Sequence, residues 1–327
     1  MGAFFLPLFL FSHLPSASSS FQKEVFMPKI KKRRRLFPLF AAVSLLLFLL
    51  ALPTSAATQT VSRYPSRVDD IRVERYATVP IYTGKGERLP VDGRLINSTT
   101  YLPLRSFFAA FAPSAKLTYY ASIRTAELKG EGLTVSARDG SNILYANGRC
   151  LYSDMPIRIL SDGTMYVPIR TLSKVLSLDV FWSEKYRSVT LSGTPVPLED
   201  GGTYYTEEDL YWLSRIISAE ARGEPFIGQV AVGNVVLNRR ASKDYPNSVK
   251  GVVFDRQGGV VQFSPVVDGS IWQAPYATSV TAAKVCLEGY TVSDRILFFY
   301  APSMISSTWI ERNRPYAFTI AGHKFFY

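Results

Sequence analysis

Read for apolar and polar positions, the chain changes character three times. Leu36 to Leu52 is a nearly continuous apolar run, with the basic stretch PKIKKRRR before it and PTSAAT after it. A basic segment, an apolar core and a tail of small residues form an export signal. Cleavage after Ala56 or Ala57 is favoured over an uncleaved membrane anchor, although seventeen residues can nearly span a bilayer. Met1 to Phe26 places a second apolar patch ahead of this signal, so Met27 is an alternative start. Residues 1–57 are therefore assigned as leader and signal, and the polar, irregular residues 58–78 as a tether.

From Val79 the apolar positions fall into short alternating runs that predict strands, and these runs repeat. Tyr101-Leu-Pro-Leu-Arg105 returns as Tyr166-Val-Pro-Ile-Arg170, 65 residues on. Arg124, Leu128 and Gly130 return as Arg187, Leu191 and Gly193, 63 residues on, so the second copy is two residues shorter in between. Each copy predicts a strand, a short helix (Ser106 to Phe111, Thr171 to Leu176) and a hairpin carrying aromatics (Tyr119 and Tyr120, Phe181 and Trp182). Aromatics at strand spacing are expected to pack a core rather than to face a glycan. The Pro/Gly-rich SGTPVPLEDGG closes this region, which makes 79–193 a domain and 194–202 a linker.

After the linker the period lengthens to that of helices. Helices are predicted over Glu207 to Arg222, over Gly228 to Arg240 with Asn234 and Asn238 on a polar stripe, and from an N-cap at Thr278 to a stop at Gly289. Strand-like runs follow at Arg295 to Ala301 and Ala317 to Tyr327. Helices followed by strands make 203–327 a second domain, and the fold class of the whole is α+β. A chain of 327 residues with 47% apolar content can bury two such cores.

Charge alters this picture little. The formal net charge is +11, but removing Met1 to Ala57 takes away seven basic residues and one acid and leaves +5. That mild excess suits an anionic polymer or a membrane surface and does not argue for nucleic acid. Cys150 and Cys286 are too few for a disulfide framework; each reads as a small buried hydrophobe, expected in different domains.

The chemistry concentrates in DLYWLSRIISAEAR, Asp209 to Arg222. Leu213, Ile216 and Ile217 precede Glu220 by seven, four and three residues, so the carboxylate points where the apolar stripe points. Thr206 with Asp209 reads as a capping start, and Gly223 with Pro225 as the stop. A carboxylate against apolar side chains loses hydration in its charged form and is suited to general acid work. The competing reading is an ion pair with Arg215 or Arg222.

Three blocks settle that choice: IISAEARGEPFIGQVAVGNVVLNR (Ile216 to Arg239), VVQFSPVVDGSIW (Val260 to Trp272) and ILFFYAP…STWIERNRPYAFTIAGHKFFY at the end. In this order they resemble the cell wall hydrolase family of the spore cortex-lytic enzymes. The resemblance implies a lysozyme- or transglycosylase-like fold, cleavage of the muramoyl glycan, and an acid/base role for Glu220. It also implies that Gln262, Phe263 and Ser264 line the site, with Tyr300, Trp309 and His323 as further substrate-binding candidates. The segments LINSTTYLPLRSF and DGTMYVPIRTL of the first domain resemble the stalk named after the amino-terminal domain of copper amine oxidases. That stalk contains no His and one Cys, so the name implies no copper here.

Glu224, Asp268 and Glu311 are candidates for a second carboxylate, and each reads equally well as a solvated charge. The expected reaction is therefore a lytic transglycosylase's cut of the bond between N-acetylmuramic acid and N-acetylglucosamine by a single Glu, with no cofactor or metal. An amidase is the nearest alternative, but one His in the exported chain does not make a zinc site. A non-catalytic wall-binding protein is the other. The expected location is secreted or wall-associated, and the expected partner is the peptidoglycan glycan strand. Germination, sporulation and vegetative wall turnover all fit.

Overall fold

Two copies of one strand–helix–hairpin pattern organise the amino-terminal half. The computed structural model describes residues 76–304 and 308–327; the expected export signal and nearly all of the tether lie outside the described residues. β1 (Ala77–Thr83), β2 (Arg88–Ile96) and β3 (Thr99–Pro103) lead into α1 (Leu104–Phe111), followed by the hairpin β4 (Lys116–Tyr120) and β5 (Thr125–Gly130). β6 (Leu133–Arg138), β7 (Ile143–Ala146) and β8 (Arg149–Tyr152) extend that hairpin into a five-stranded sheet ordered β4-β5-β6-β7-β8. The second copy gives β9 (Arg158–Ile159), β10 (Met165–Pro168), α2 (Ile169–Lys174), β11 (Asp179–Ser183) and β12 (Ser188–Ser192). These strands join the first three in a seven-stranded sheet ordered β11-β12-β1-β2-β3-β10-β9.

The repeat read from the sequence is visible in the register. β3 and β10 pair antiparallel with Tyr101 opposite Pro168, Leu102 opposite Val167 and Pro103 opposite Tyr166. Equivalent residues thus exchange partners about the Leu102–Val167 pair, as a local twofold axis requires. Arg124 and Arg187, equivalent in the two hairpins, both adopt positive φ, 49° and 45°. Each helix starts directly after a proline, whose fixed φ suits that position. α1 buries Leu104, Phe107 and Phe108, the i, i+3, i+4 stripe.

The hairpin aromatics do not pack the core as expected. Tyr119, Tyr120, Phe181 and Trp182 are 45%, 43%, 57% and 38% exposed. The reason is position: β4 and β11 are the edge strands of their sheets, and an edge strand lacks a neighbour on one side.

The carboxyl-terminal half begins with α3 (Gly201–Tyr204) and α4 (Glu207–Ala221), which is capped by Thr206 accepting from the Asp209 N–H. Next come α5 (Phe226–Ala241), α6 (Val249–Val253), a short hairpin β13 (Arg256–Gln257) and β14 (Val260–Val261), α7 (Pro265–Asp268) and α8 (Ala277–Leu287). β15 (Phe298–Tyr300), α9 (Thr308–Asn313), β16 (Tyr316–Ile320) and β17 (His323–Phe326) complete it, with the strands ordered β15-β17-β16. α4, α5 and α8 share the core through Leu213, Ile216, Ile217, Val232, Val235 and Ala282, all fully buried. At Gly233 the three helices meet so closely that a Cβ would lie 2.7 Å from Cys286 Sγ and 2.8 Å from Ile217 Cδ1.

Three local expectations change. α8 starts one residue before Thr278, with Tyr276 as N-cap: its C=O accepts the Ser279 and Val280 N–H groups, and its own N–H bonds Ser218 Oγ on α4 at 3.1 Å. Asn234 and Asn238 form no solvated stripe: Asn234 bonds Tyr290 O and the Val292 N–H, and Asn238 bonds Ser293 O and Ile296 O, so both pin the loop before β15. Cys150 lies on stalk strand β8 yet is buried in the same core as Cys286, and both are free thiols. Burial raises the Cys150 thiol to about 11, which makes it an inert hydrophobe.

That placement of Cys150 marks a wide contact between the halves. Arg149 on β8 makes a bidentate ion pair with Glu288 at the end of α8, 2.8 Å from Nε and 2.6 Å from the second guanidinium nitrogen. Tyr205 Oη also donates to Glu288, and Tyr204 lies under the guanidinium at 3.3 Å. Tyr152 stacks on Phe226 and meets Tyr290 at a tilt, with ring centres 4.4 Å apart. The linker is held as well, since the Val196 and Leu198 N–H groups bond Leu176 O and Val175 O, and the Gly201 N–H bonds Asn147 O.

Candidate active site

Glu220 occupies the last turn of α4, beyond the buried residues Leu213, Ile216 and Ile217. Its own side chain stays partly open to solvent. The alternative ion pairs are not formed: Arg215 lies flat over the Tyr211 ring at 3.6 Å, and Arg222 reaches Gln273 at 3.5 Å. Burial raises the carboxyl to about 7, the Asp268 charge adds to the rise, and the Arg239 charge opposes it. Near neutral pH the group is therefore divided between a proton donor and a proton acceptor.

Asp268 ends α7, which packs against α4. It is exposed, and hydrogen bonding from Ser270, including its N–H at 2.8 Å, holds its carboxyl below the usual range. Of the three candidate second carboxylates, only this one acts on Glu220. Glu224 instead accepts the Gly322 N–H at 3.0 Å and stands 3.5 Å from His323 Nδ1. Glu311 is held by Lys324 at 2.8 Å and by the Tyr300 hydroxyl, which together keep its carboxyl low.

The QFS block is partly brought to the site. Phe263 is buried beside Arg239, whose guanidinium carbon lies 5.1 Å from the ring centre. Ser264 is exposed at the start of α7, and its carbonyl accepts the Val267 and Asp268 N–H groups. Gln262 turns its amide back onto Val260 O at 3.2 Å and stays half-buried.

The last three candidates separate. Tyr300 points to the face of the terminal sheet that carries Phe326 and Glu311, whereas its neighbour Phe299 faces Phe263 and Phe325. Trp309 is 53% exposed on α9, with the Arg314 guanidinium 5.7 Å from its ring. His323 is buried against Phe299, with Nδ1 3.5 Å from Glu224 and without a hydrogen-bond partner among the described residues.

Arg239 is the residue that sequence reasoning missed. It is 5% exposed on α5, donates from Nε to Leu297 O at 2.7 Å, and sits among the rings of Tyr245, Phe263 and Phe298. One terminal nitrogen is buried without a hydrogen-bond partner among the described residues. Burial lowers its pKa, and Tyr245, Asp255 and Glu220 oppose the shift. Its signal in the sequence was a basic residue inside an apolar helix, five positions beyond Asn234. Trp272, four residues past Asp268, was also passed over; it exposes 60% of its surface and rests edge-on against Trp212 at 5.5 Å.

Comparison with known proteins places both halves. Residues 223–327 match the Cell Wall Hydrolase family, and residues 84–191 match the Copper amine oxidase N-terminal domain. The first match begins just past Glu220, so the role of that residue rests on its setting. The spore cortex-lytic enzyme of Bacillus cereus is 35% identical over 133 residues, 41% of this chain and 48% of that protein. That of Bacillus subtilis is 36% identical over 121 residues, 37% of this chain and 38% of that protein. This chain thus spans about half the length, or less, of these relatives. The catalytic domain of a germination-specific lytic transglycosylase from Bacillus anthracis is 33% identical, with 40% of this chain and 100% of that domain covered and a TM-score of 0.35. This chain is thus similar over residues 223–327 to the cell wall hydrolase family, and over residues 84–191 to the copper amine oxidase amino-terminal domain family.

Proposed function

We propose that this chain is an exported, wall-associated enzyme that cleaves peptidoglycan as a lytic transglycosylase, with Glu220 as its single acid/base. The observation that carries this reading is the Glu220 carboxyl, raised to about 7 by burial and without an ion pair among the described residues. Protonated Glu220 gives its proton to the oxygen between N-acetylmuramic acid and N-acetylglucosamine as the glycosidic bond breaks. The resulting carboxylate then takes the proton from the muramic 6-hydroxyl, whose oxygen closes on C1. No water is consumed, and Glu220 returns to its starting state. One group with a pKa near the working pH is suited to both steps.

Around this centre, Arg239 supplies a buried positive charge and a free N–H, and Trp272 supplies an exposed ring for a sugar face. The segment from Met27 to Ala57 supports export.

A second reading has one observation in its favour. Asp268 stays ionised close enough to act on Glu220, the division of roles that hydrolytic glycosidases use. Asp268→Asn separates the two. Under the transglycosylase reading it keeps turnover within roughly tenfold of the parent; under the hydrolase reading it loses activity as completely as Glu220→Gln, by roughly a hundredfold or more. Loss of turbidity of a purified peptidoglycan suspension measures both.

A further inference from the structure

The stalk carries two grooves that its internal repeat makes equivalent. The larger, about 590 Å³, is lined by Arg170 and Thr171 at the start of α2, Trp182 on β11, and Thr99 from the β2–β3 hairpin. The smaller, about 290 Å³, is lined by Arg105 and Ser106 at the start of α1, Tyr119 on β4, and Thr164 from the β9–β10 hairpin. Arg105, Ser106 and Thr99 correspond to Arg170, Thr171 and Thr164 at the 65-residue offset, and Tyr119 to Trp182 at the 63-residue offset. Each groove therefore takes its arginine, hydroxyl and ring from one copy and its threonine from the hairpin of the other.

We propose that these grooves are twin binding subsites for the glycan strand of peptidoglycan, each stacking a sugar on its ring and holding a carboxylate of the attached stem peptide on its arginine. Exposed aromatics scattered singly need no explanation. Here, however, a ring stands in a groove at the same repeat position twice, with an arginine and two hydroxyl groups beside it. In the larger groove the Trp182 ring is fixed by its N–H bond to Glu184, so it is preorganised for a flat partner. Among the described residues Arg105 and Arg170 have no ion-pair partner, whereas Arg88, Arg124, Arg149 and Arg240 each have one. The acids of the larger groove, Glu184 and Asp154, accept from Trp182 and Tyr290, Arg170 pairs with neither, and Arg187 adds a second positive charge to the lining. Each unpaired guanidinium can take a carboxylate in bidentate fashion, and a ring in the same groove suits a sugar face. Two sites on one rigid stalk bind a repeating polymer by avidity, so modest single-site contacts suffice.

This proposal rests on the wall-enzyme reading. The test uses the full chain carrying Glu220→Gln and measures its co-sedimentation with purified peptidoglycan, with and without its attached teichoic polymers. Tyr119→Ala and Trp182→Ala should each weaken binding roughly 3-fold to 10-fold, and together they should weaken it more than either alone. Arg105→Glu with Arg170→Glu, at two exposed positions, should also weaken it, and decides the matter if a ring variant fails to fold. Binding by both double variants equal to the parent's, or binding that disappears when the teichoic polymers are stripped, overturns the proposal. If the catalytic chain leaves peptidoglycan uncut but ring-dependent sedimentation persists, the enzymatic reading fails and the subsites stand. If peptidoglycan is cut while both double variants sediment like the parent, the subsites fail alone.

Discussion

Glu220 sits between two charges that move its proton in opposite directions. Removing the Asp268 charge with Asp268→Asn should lower its pKa and shift the alkaline limb of the activity profile to lower pH. Replacing Arg239 by Met removes the opposing charge and should shift that limb to higher pH. Rate against pH for the two variants checks this, and shifts of the same sign would contradict the assignment. The same burial has a stability consequence. Folded Glu220 holds its proton up to about 7, against an ordinary value of 4.5, so unfolding releases a proton between those limits. Stability should fall as pH rises through that window and level off above it. Glu220→Gln removes the ionisation and should stabilise the fold above pH 7, on the order of 1–3 kcal/mol, with the gain vanishing below about pH 4. Thermal melts across pH read it directly. Glu220 itself was legible because its seven-, four- and three-residue spacing from Leu213, Ile216 and Ile217 is a property of one helix. Arg239 was not, and Asp268 was legible only as one of three candidate carboxylates, because α5 and α7 reach α4 only through tertiary packing.

Elements defined by local spacing were the most legible. The 65-residue repeat was readable because it is an internal copy, and the β3–β10 register follows from it. The exposed aromatics were misread because a strand's place at a sheet edge depends on the whole strand order. The contact between β8 and α8 was invisible for the same reason: Arg149 and Glu288 lie in different predicted domains. Their pair is buried, with 9% and 6% of the side chains exposed, and Tyr205 shares it. Glu288→Ala strands a buried guanidinium and should cost about 3 kcal/mol in urea unfolding. Arg149→Met with Glu288→Leu should recover most of that loss; a Glu288→Ala chain as stable as its parent would show that the pair contributes nothing.

For the whole molecule, the linker and the wide contact point to different levels of independence. A fragment starting at Gly201 keeps α4, α5, α8 and the terminal sheet, so it should fold and cut soluble glycan. It loses Arg149, Cys150 and Tyr152, and should melt lower than the full chain, on the order of 10 °C. A folded but inactive fragment would make the stalk part of the catalytic machinery. The central claim, a single glutamate acting as acid and then base, is tested most directly by mass spectrometry of purified peptidoglycan digested by the full chain and by its Glu220→Gln variant. The account predicts 1,6-anhydromuramic ends from the parent and, from the variant, at least a hundredfold fewer cuts, by the loss expected when acid/base catalysis is removed, roughly 10²-fold or more. Reducing muramic ends, free stem peptides, or near-normal cutting by a folded Glu220→Gln chain would contradict it.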